Sequence, residues 1–459
     1  MGGFSDKVDR FFRVSERGST FATEIKGGLI TFLSMSYVLA VNPSILQSAA
    51  PEFPFSQLFT ATALAAMIAC ILMGLYSRFP VALAPGMGVN AFLAYTVCLG
   101  MGFPFVQGLA IVFVSGALFF AITVSGLRNK MMYGIPESMK LAITAGIGLF
   151  ITIIGLYNSG ILSHGSGTAL SLGDLTDPGV LLSALCIAMT LGMWLKGRWF
   201  AVIGGILATW AIGLCLGAFG LESALIPSWE SEAAVTYPDF GLFGKVFEGF
   251  SFIEGAMVVP FLTAIVSLTV VNLFDTTGTL IGVGSAAGLT DSEGRIAGGE
   301  KAMTVDAASS MIGAVCGTST TTSYVESVTG IGSGARTGIL PLTAGALFAA
   351  SLLFSGIFST FTGACTVGAM VLVGTLMMKN VKNIDWDDPT VCITAFLTIV
   401  TMGLTASIAN GIAAGAFACV GGMCLTGRRK DVSGVLWALT AVSAVYILSS
   451  HIVIPIWLS

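Results

Sequence analysis

The feature that most constrains this chain is a recurring apolar run with nothing ionisable inside it, as at 55–77, 104–125 and 338–358. A helix crossing a hydrocarbon core of about 30 Å needs about 20 such residues, and each run supplies them. Soluble domains carry roughly a quarter of their residues as Asp, Glu, Lys and Arg. Here the charged share is 10%, against 55% hydrophobic, which excludes a soluble enzyme. Barrel strands alternate polar and apolar over about ten residues, and these runs do not, which disfavours an outer-membrane barrel. The expected fold class is an all-α polytopic membrane protein.

Candidate spans lie near 25–44, 57–77, 81–98, 104–125, 139–157, 179–195, 199–219, 252–275, 301–315, 319–334, 338–357, 361–378, 390–407 and 410–426. With about fourteen crossings and the N-terminus inside, every one of the 20 Lys and Arg residues except Lys245 falls on the N-terminal side. Outer loops hold acids such as Glu52, Asp174, Glu222 and Asp239. The positive-inside bias makes the basic side cytoplasmic and predicts a multi-pass protein of the plasma or inner membrane. Residues 1–24 form a polar cytoplasmic segment, with FFRVSERGSTFATEIK as an amphipathic lead-in to the first helix. An apolar C-terminal segment at 428–459, interrupted by His451 and Pro455, either crosses again or lies at the cytoplasmic face; the second reading is preferred. Nine cysteines, none in a CxxC pair, read as small packing residues with no metal or disulfide role.

Two spans are interrupted. The third carries PVALAPGMGVNAF (80–92), where Pro80, Pro85, Gly86 and Gly88 remove backbone donors and lower helix propensity. The tenth carries GTSTTTSYVESVTGIGSG (317–334), whose hydroxyl run favours extended backbone. Irregular backbone at membrane depth is tolerated only where protein or a water-filled cavity satisfies it, and broken helices at matching places in two halves point to a transporter's binding site. The breaks stand seven spans apart. This spacing predicts two seven-span repeats, 25–219 and 251–427, joined by a polar connection at 220–250; an odd span count makes the repeats inverted.

Acids inside the spans are few. A charge near the midplane costs at least ~2.5 kcal/mol on insertion scales and faces a cavity by default. Asp275 lies in NLFDTTGTLIGV (272–283) and Glu326 just after the tenth-span break. Asp306, in MTVDAASS (303–310), reads equally as a helix-start link and as a functional group, and Glu254 as interfacial. Asp275, Glu326 and Asp306 are the proton-coupling candidates. No Lys or Arg is placed deep in a span, so an anionic cargo is disfavoured. A carboxylate among hydroxyls suits a neutral planar heterocycle, whose adjacent ring N–H groups can meet it in a bidentate arrangement. A membrane-embedded enzyme would need a dyad or metal ligands, yet only His164, His451 and the pair Asp275 with Asp306 are on offer. A channel fits less well than an occluding site.

Together TFLSMSYVLAVNPSIL (31–46), ALAPGMGVNAF (82–92), NLFDTTGTLIGV (272–283), and GTSTTTSYVES followed by GARTG (334–338) resemble the AzgA-like purine permeases of the nucleobase/ascorbate transporter superfamily. The resemblance covers nearly the whole chain. It implies fourteen spans in two inverted repeats, with short strands in spans three and ten. It also implies a core domain at approximately 25–125 and 252–357 and a gate domain at approximately 139–219 and 361–426, moving as an elevator in a homodimer. It implies import of adenine, guanine or hypoxanthine by proton symport, without cofactor, metal or nucleic-acid partner. Xanthine, uracil or another small solute, or sodium coupling, are the alternatives. By motif, Asp275 and Glu326 match acids that contact the base, Asn90 a third-span polar residue near the site, and Thr279 a polar support. Ser323 joins the substrate-binding candidates, and Tyr37 and Phe92 are candidate aromatic walls for which packing is the commoner role. Asn272 stands where some relatives carry a second acid.

Overall fold

The computed structural model of the protein describes residues 4–126, 134–163, 170–228, 235–250, 257–289, 298–405 and 407–448. Glu254, His164, His451 and residues 449–459 lie outside the described residues.

Helix α1 (Phe4–Phe12) leads through a turn into α2 (Phe21–Met35). The Thr20 side chain accepts the Thr23 N–H, pairing a donor that a helix start leaves orphaned, so the first long helix starts earlier than the expected span at 25. The chain bends at Ser36 and Tyr37 into α3 (Val38–Gln47), which holds Pro43. Helix α4 (Phe55–Leu72) ends in a π-helical turn, Met73–Ser77, closed by Arg78 in left-handed backbone at φ 57°. The third segment is broken: β1 (Leu83–Pro85), α5 (Met87–Ala91), then a π-helical stretch, Phe92–Gly100. Helices α6 (Phe105–Val124) and α7 (Glu137–Asn158), a small hairpin of β2 (Leu162–Ser163) with β3 (Ser171–Leu172), and helices α8 (Pro178–Leu195) and α9 (Ala201–Ala218) complete the first half.

In the second half, α10 (Val258–Ala286) and α11 (Gly299–Cys316) precede a second break, made of β4 (Thr321–Ser323) and α12 (Ser327–Gly332). Helices α13 (Ile339–Ser351), α14 (Ser355–Phe358), α15 (Gly363–Met378), α16 (Pro389–Leu404), α17 (Ile408–Leu425) and α18 (Gly434–Ile447) follow. Among the described residues nine helices, with α2 and α3 counted as one and α13 and α14 as one, are long and apolar enough to cross a membrane. Helix α18 has 14 residues and extends only ~21 Å at 1.5 Å per residue. That is short of a ~30 Å core. It packs on α17 and α10 and buries Leu436 and Leu439.

Two sets of helices pack mainly among themselves: α7, α8, α9, α15, α16 and α17 in one, α2 to α6 with α10 to α13 in the other. Small residues permit the closest approaches. A side chain at Gly27 would run into Ala335, and one at Gly28 into Thr343, so α2 lies directly against the strip formed by α12 and α13.

The breaks meet each other. Strands β1 and β4 pair antiparallel with Leu83 opposite Ser323, Ala84 opposite Thr322 and Pro85 opposite Thr321. Gly86 N–H donating to Thr320 O and Tyr324 N–H to Ala82 O, each at 3.0 Å, extend the pairing at both ends. A two-stranded sheet leaves outer edges that need partners when buried. The Cys70 thiol serves the Leu83 N–H and carbonyl at 3.2 Å each, and Ser327 Oγ accepts the Ala82 N–H at 3.0 Å.

Candidate binding site

Three acids surround the strand pair, and their environments separate them. Asp306, on α11, is fully buried. Its Oδ1 accepts the Ser323 N–H at 2.7 Å and the Ser323 hydroxyl at 2.6 Å, and its Oδ2 accepts the Thr276 hydroxyl. One carboxylate thus ties α10, α11 and β4 together, with the charge met by charge-assisted hydrogen bonds. Asp275 and Glu326 are only half-buried. Glu326 Oε1 accepts the Tyr37 hydroxyl at 2.8 Å, and the Asp275 carboxylate meets no donor among the described residues. Asp275 lies within coulombic reach of both Asp306 and Glu326. Neither Asp275 nor Glu326 forms an ion pair among the described residues. The Arg336 guanidinium, the cation nearest in sequence, is committed to the carbonyls of Ile331 and Ala335 at 2.6 and 2.7 Å.

The other sequence candidates divide the same way. Tyr37 is buried and reaches Glu326 through its hydroxyl alone. Thr279 is half-buried on α10, one turn beyond Asp275 and therefore on the same face. Asn90 is fully buried, with Oδ1 accepting from Ser319 Oγ, and Phe92 is fully buried in the apolar core. Ser323 is buried with both its donors on Asp306. So Asp275, Glu326 and Thr279 keep exposed surface, whereas Asn90, Ser323, Phe92 and Asp306 support the frame around them.

Residues not singled out in the sequence complete that frame. The Tyr324 hydroxyl donates to Pro85 O at 2.5 Å, a second tie between the breaks. Thr276 links Asp306 to Thr322 Oγ1, 3.2 Å away. Asn42 donates to Thr62 and Thr318 at 2.7 and 2.9 Å. Its own Oδ1, like that of Asn272, is buried without a hydrogen bond among the described residues. Glu24, which reads as part of a polar tail, is fully buried and accepts the N–H groups of Arg336 and Thr337 at 2.7 and 3.1 Å. The signal for it is faint: an acid in the first turn of an apolar helix.

A cavity of about 220 Å³ opens between the two helix sets, lined by Ser44, Ser48, Tyr95, Asn158 and Thr366 among others. Neither Asp275 nor Glu326 lines it. Asn158 donates to the Tyr95 hydroxyl at 3.0 Å across it, joining the π-helical stretch of one set to α7 of the other. No cluster of His, Cys, Asp and Glu able to hold a metal occurs among the described residues.

The profile of a family described as the Permease family matches residues 22–414. Guanine/hypoxanthine permease PbuG of Bacillus subtilis (strain 168) is 39% identical over 443 residues, covering 95% of this chain and 98% of that protein. Adenine permease AdeQ of Escherichia coli (strain K12) is 36% identical over 447 residues, covering 97% of each. Among solved structures, the transmembrane domain of the cyanobacterium bicarbonate transporter BicA superposes with a TM-score of 0.57 at 15% identity, over 87% of this chain and 97% of that one. The likeness to that structure is one of fold.

Proposed function

The chain belongs to the permease family that matches it over residues 22–414, among the AzgA-like nucleobase permeases, and from that premise we propose that it imports purine nucleobases as a proton symporter. Adenine, guanine and hypoxanthine are the proposed cargo. The observation that carries this reading is the pair of half-buried acids, Asp275 and Glu326, which form no ion pair among the described residues beside the β1–β4 junction. A neutral base with ring N–H donors can satisfy such carboxylates, and an anion would be repelled by them. In this reading Glu326 binds base directly, while Tyr37 donates to one of its oxygens. Asp275, without a donor of its own, is the second contact and the preferred proton carrier.

The proposed cycle uses fourteen crossings in two inverted repeats. The set containing α2 to α6 and α10 to α13 is the mobile core, and the set containing α7 to α9 and α15 to α17 is the gate, through which two copies associate. The cavity bounded by Ser44, Tyr95 and Asn158 lies between these two bodies, where an elevator displacement would open and close a path. Sodium coupling is the second reading, favoured by the buried and unpaired Oδ1 atoms of Asn42 and Asn272, which could serve a cation.

The test is uptake of labelled adenine, guanine and hypoxanthine into proteoliposomes, with imposed proton or sodium gradients, together with equilibrium binding. Glu326→Gln is expected to abolish base binding and base-driven proton uptake. Uptake equal to wild type in that variant overturns the assignment of the site. Uptake that follows sodium and ignores the proton gradient selects the second reading.

A further inference from the structure

Away from the acids, at the end of the protein that the charge distribution places in the cytoplasm, a cavity of about 240 Å³ is lined by four cations, Arg13, Arg17, Arg78 and Lys301. Tyr76 and Gly298 also line it. The cations come from three separate parts of the chain: the turn after α1, the close of the π-helical turn after α4, and the first turn of α11. Like charges gathered this closely repel one another, and the ordinary remedy is a carboxylate among them. Here none of Arg17, Arg78 and Lys301 forms an ion pair among the described residues. Arg13 touches only Glu16, at 3.6 Å on an exposed surface. Glu24 and Glu16 lie near Arg17 without pairing with it; Glu24 accepts backbone N–H groups through both oxygens.

Arg17, Arg78 and Lys301 are held in place by carbonyl and ring contacts, with no ion pair among the described residues. Arg17 donates through Nη1 to the carbonyls of Arg78 and Arg336 at 3.2 and 2.8 Å. The Arg78 guanidinium lies 3.9 Å from the centre of the Phe11 ring, and its Nε is buried without a hydrogen-bond partner among the described residues. Lys301 Nζ sits 5.8 Å from the Tyr76 ring centre. Burial first, and then the neighbouring Arg13, hold the Arg17 guanidinium below its usual range, against the opposing pull of Glu24 and Glu16. Helix α11 is 18 residues long and follows Gly298, in left-handed backbone at φ 79°, with no side-chain cap and with Glu300 beside Lys301 in its first turn. Its first N–H groups therefore remain as donors at the positive end of the helix dipole.

We propose that this cavity is a binding site for a phosphoryl anion, held by Arg13, Arg17, Arg78 and Lys301 against the uncapped start of α11. Guanidinium groups suit phosphate through paired N–H donors, and a helix start suits it through backbone N–H groups. At about 240 Å³ the space falls below the ~300 Å³ at which pockets for drug-sized ligands begin. It accommodates a phosphate or diphosphate group, or the headgroup phosphate of an anionic lipid, but not an enclosed nucleoside. Either occupant would staple the N-terminal segment and the end of α4 to α11, the helix that carries Asp306.

The test uses the full-length protein and the variant Arg13→Gln/Lys301→Gln, with Lys301→Gln alone as a second variant. Arg17 and Arg78 are left intact because they also hold backbone carbonyls or pack on Phe11. Thermal unfolding in detergent is followed against inorganic phosphate and pyrophosphate. Native mass spectrometry then compares retention of phosphatidylglycerol with phosphatidylcholine. Expected is a saturable rise in melting temperature with the free anions, or selective retention of the anionic lipid, weakened ~10-fold or more by loss of charge-assisted contacts. The variants should melt like wild type when no ligand is added. A response to pyrophosphate without lipid selectivity assigns the site to a soluble phosphoryl compound, and the converse assigns it to a headgroup. No saturable response to either, or a response equal in wild type and both variants, overturns the proposal. Base binding is measured separately, so failure here leaves the transport reading standing.

Discussion

A single carboxylate, Asp306, holds the backbone and side chains that neighbour the other two acids. Three donors converge on it: the Ser323 N–H and hydroxyl and the Thr276 hydroxyl. Ser323 stands three residues before Glu326, and Thr276 directly follows Asp275. Deleting the carboxylate strands buried donors, each at a cost of about 1–3 kcal/mol. Asp306→Ala should therefore lower the melting temperature and abolish base binding, whereas Asp306→Asn, which keeps an acceptor oxygen for Ser323, should retain measurable affinity. Calorimetric titration of the purified variants decides this. If Asp306→Asn binds base normally but no longer moves protons, the residue carries the coupling proton instead of positioning the site. Asp388 shows the opposite situation at the protein surface. It caps α16 by accepting the Thr390 N–H at 2.8 Å and receives both terminal nitrogens of Arg428 at 2.9 and 3.3 Å. Arg428 first, and then the Thr390 N–H, hold its carboxyl below the usual carboxylate range. A depressed folded pKa contributes stability that is present above the ordinary value near 3.9 and disappears as pH falls through the lower folded value. Asp388→Asn should thus melt below wild type at pH 7, and the gap should close only below about pH 4, as read by thermal scans across pH.

At the scale of elements, the breaks are the part of the fold most legible in the sequence. Pro80, Pro85 and Gly86 exclude a continuous helix, and the hydroxyl run at 318–323 favours extended backbone; strands occur at 83–85 and 321–323. Their pairing register, and the long-range ties around it, are not legible. Tyr37 finds Glu326 across 289 residues and Asn90 finds Ser319 across 229, and no local periodicity encodes such meetings. Glu24 and Asp306 look alike as acids near helix starts, and only their backbone partners reveal that both are buried ties. Helix α12 offers an internal comparison. A Cβ at Gly330 would meet Thr31 Oγ1 and the Gly27 carbonyl on α2, whereas one at Gly332, two residues on, would meet nothing within 4 Å. Gly330→Ala should push α12 off α2, shift Glu326 from Tyr37, and weaken base binding ~10-fold or more with a lower melting temperature, as a misplaced contact of ~1.4 kcal/mol or more would. Gly332→Ala should bind and melt like wild type. Equal behaviour of the two variants would mean that the α2–α12 contact does not set the site.

Across the whole molecule, the sequence predicts sidedness from 20 basic residues, and the described structure leaves Lys245 in a surface 3-10 turn paired with Glu248 at 2.8 Å. If the proposed topology holds, a membrane-impermeant amine reagent applied to intact cells labels Lys245 and spares Lys379 and Lys382, which become reactive only in inverted vesicles. Labelling of all three from outside would reverse or break the topology. The strand pair also imposes an order on synthesis. Strand β1 emerges about 240 residues ahead of its only strand partner, which at 5–20 residues per second is a wait of roughly 12–48 s. Through that interval the first half must keep extended backbone wet, shielded or outside the hydrocarbon, since unpaired peptide groups there are costly. Nascent chains stalled between the two breaks are therefore the stage at which this protein is most exposed to quality-control proteases, and at which a membrane insertase has most to offer it.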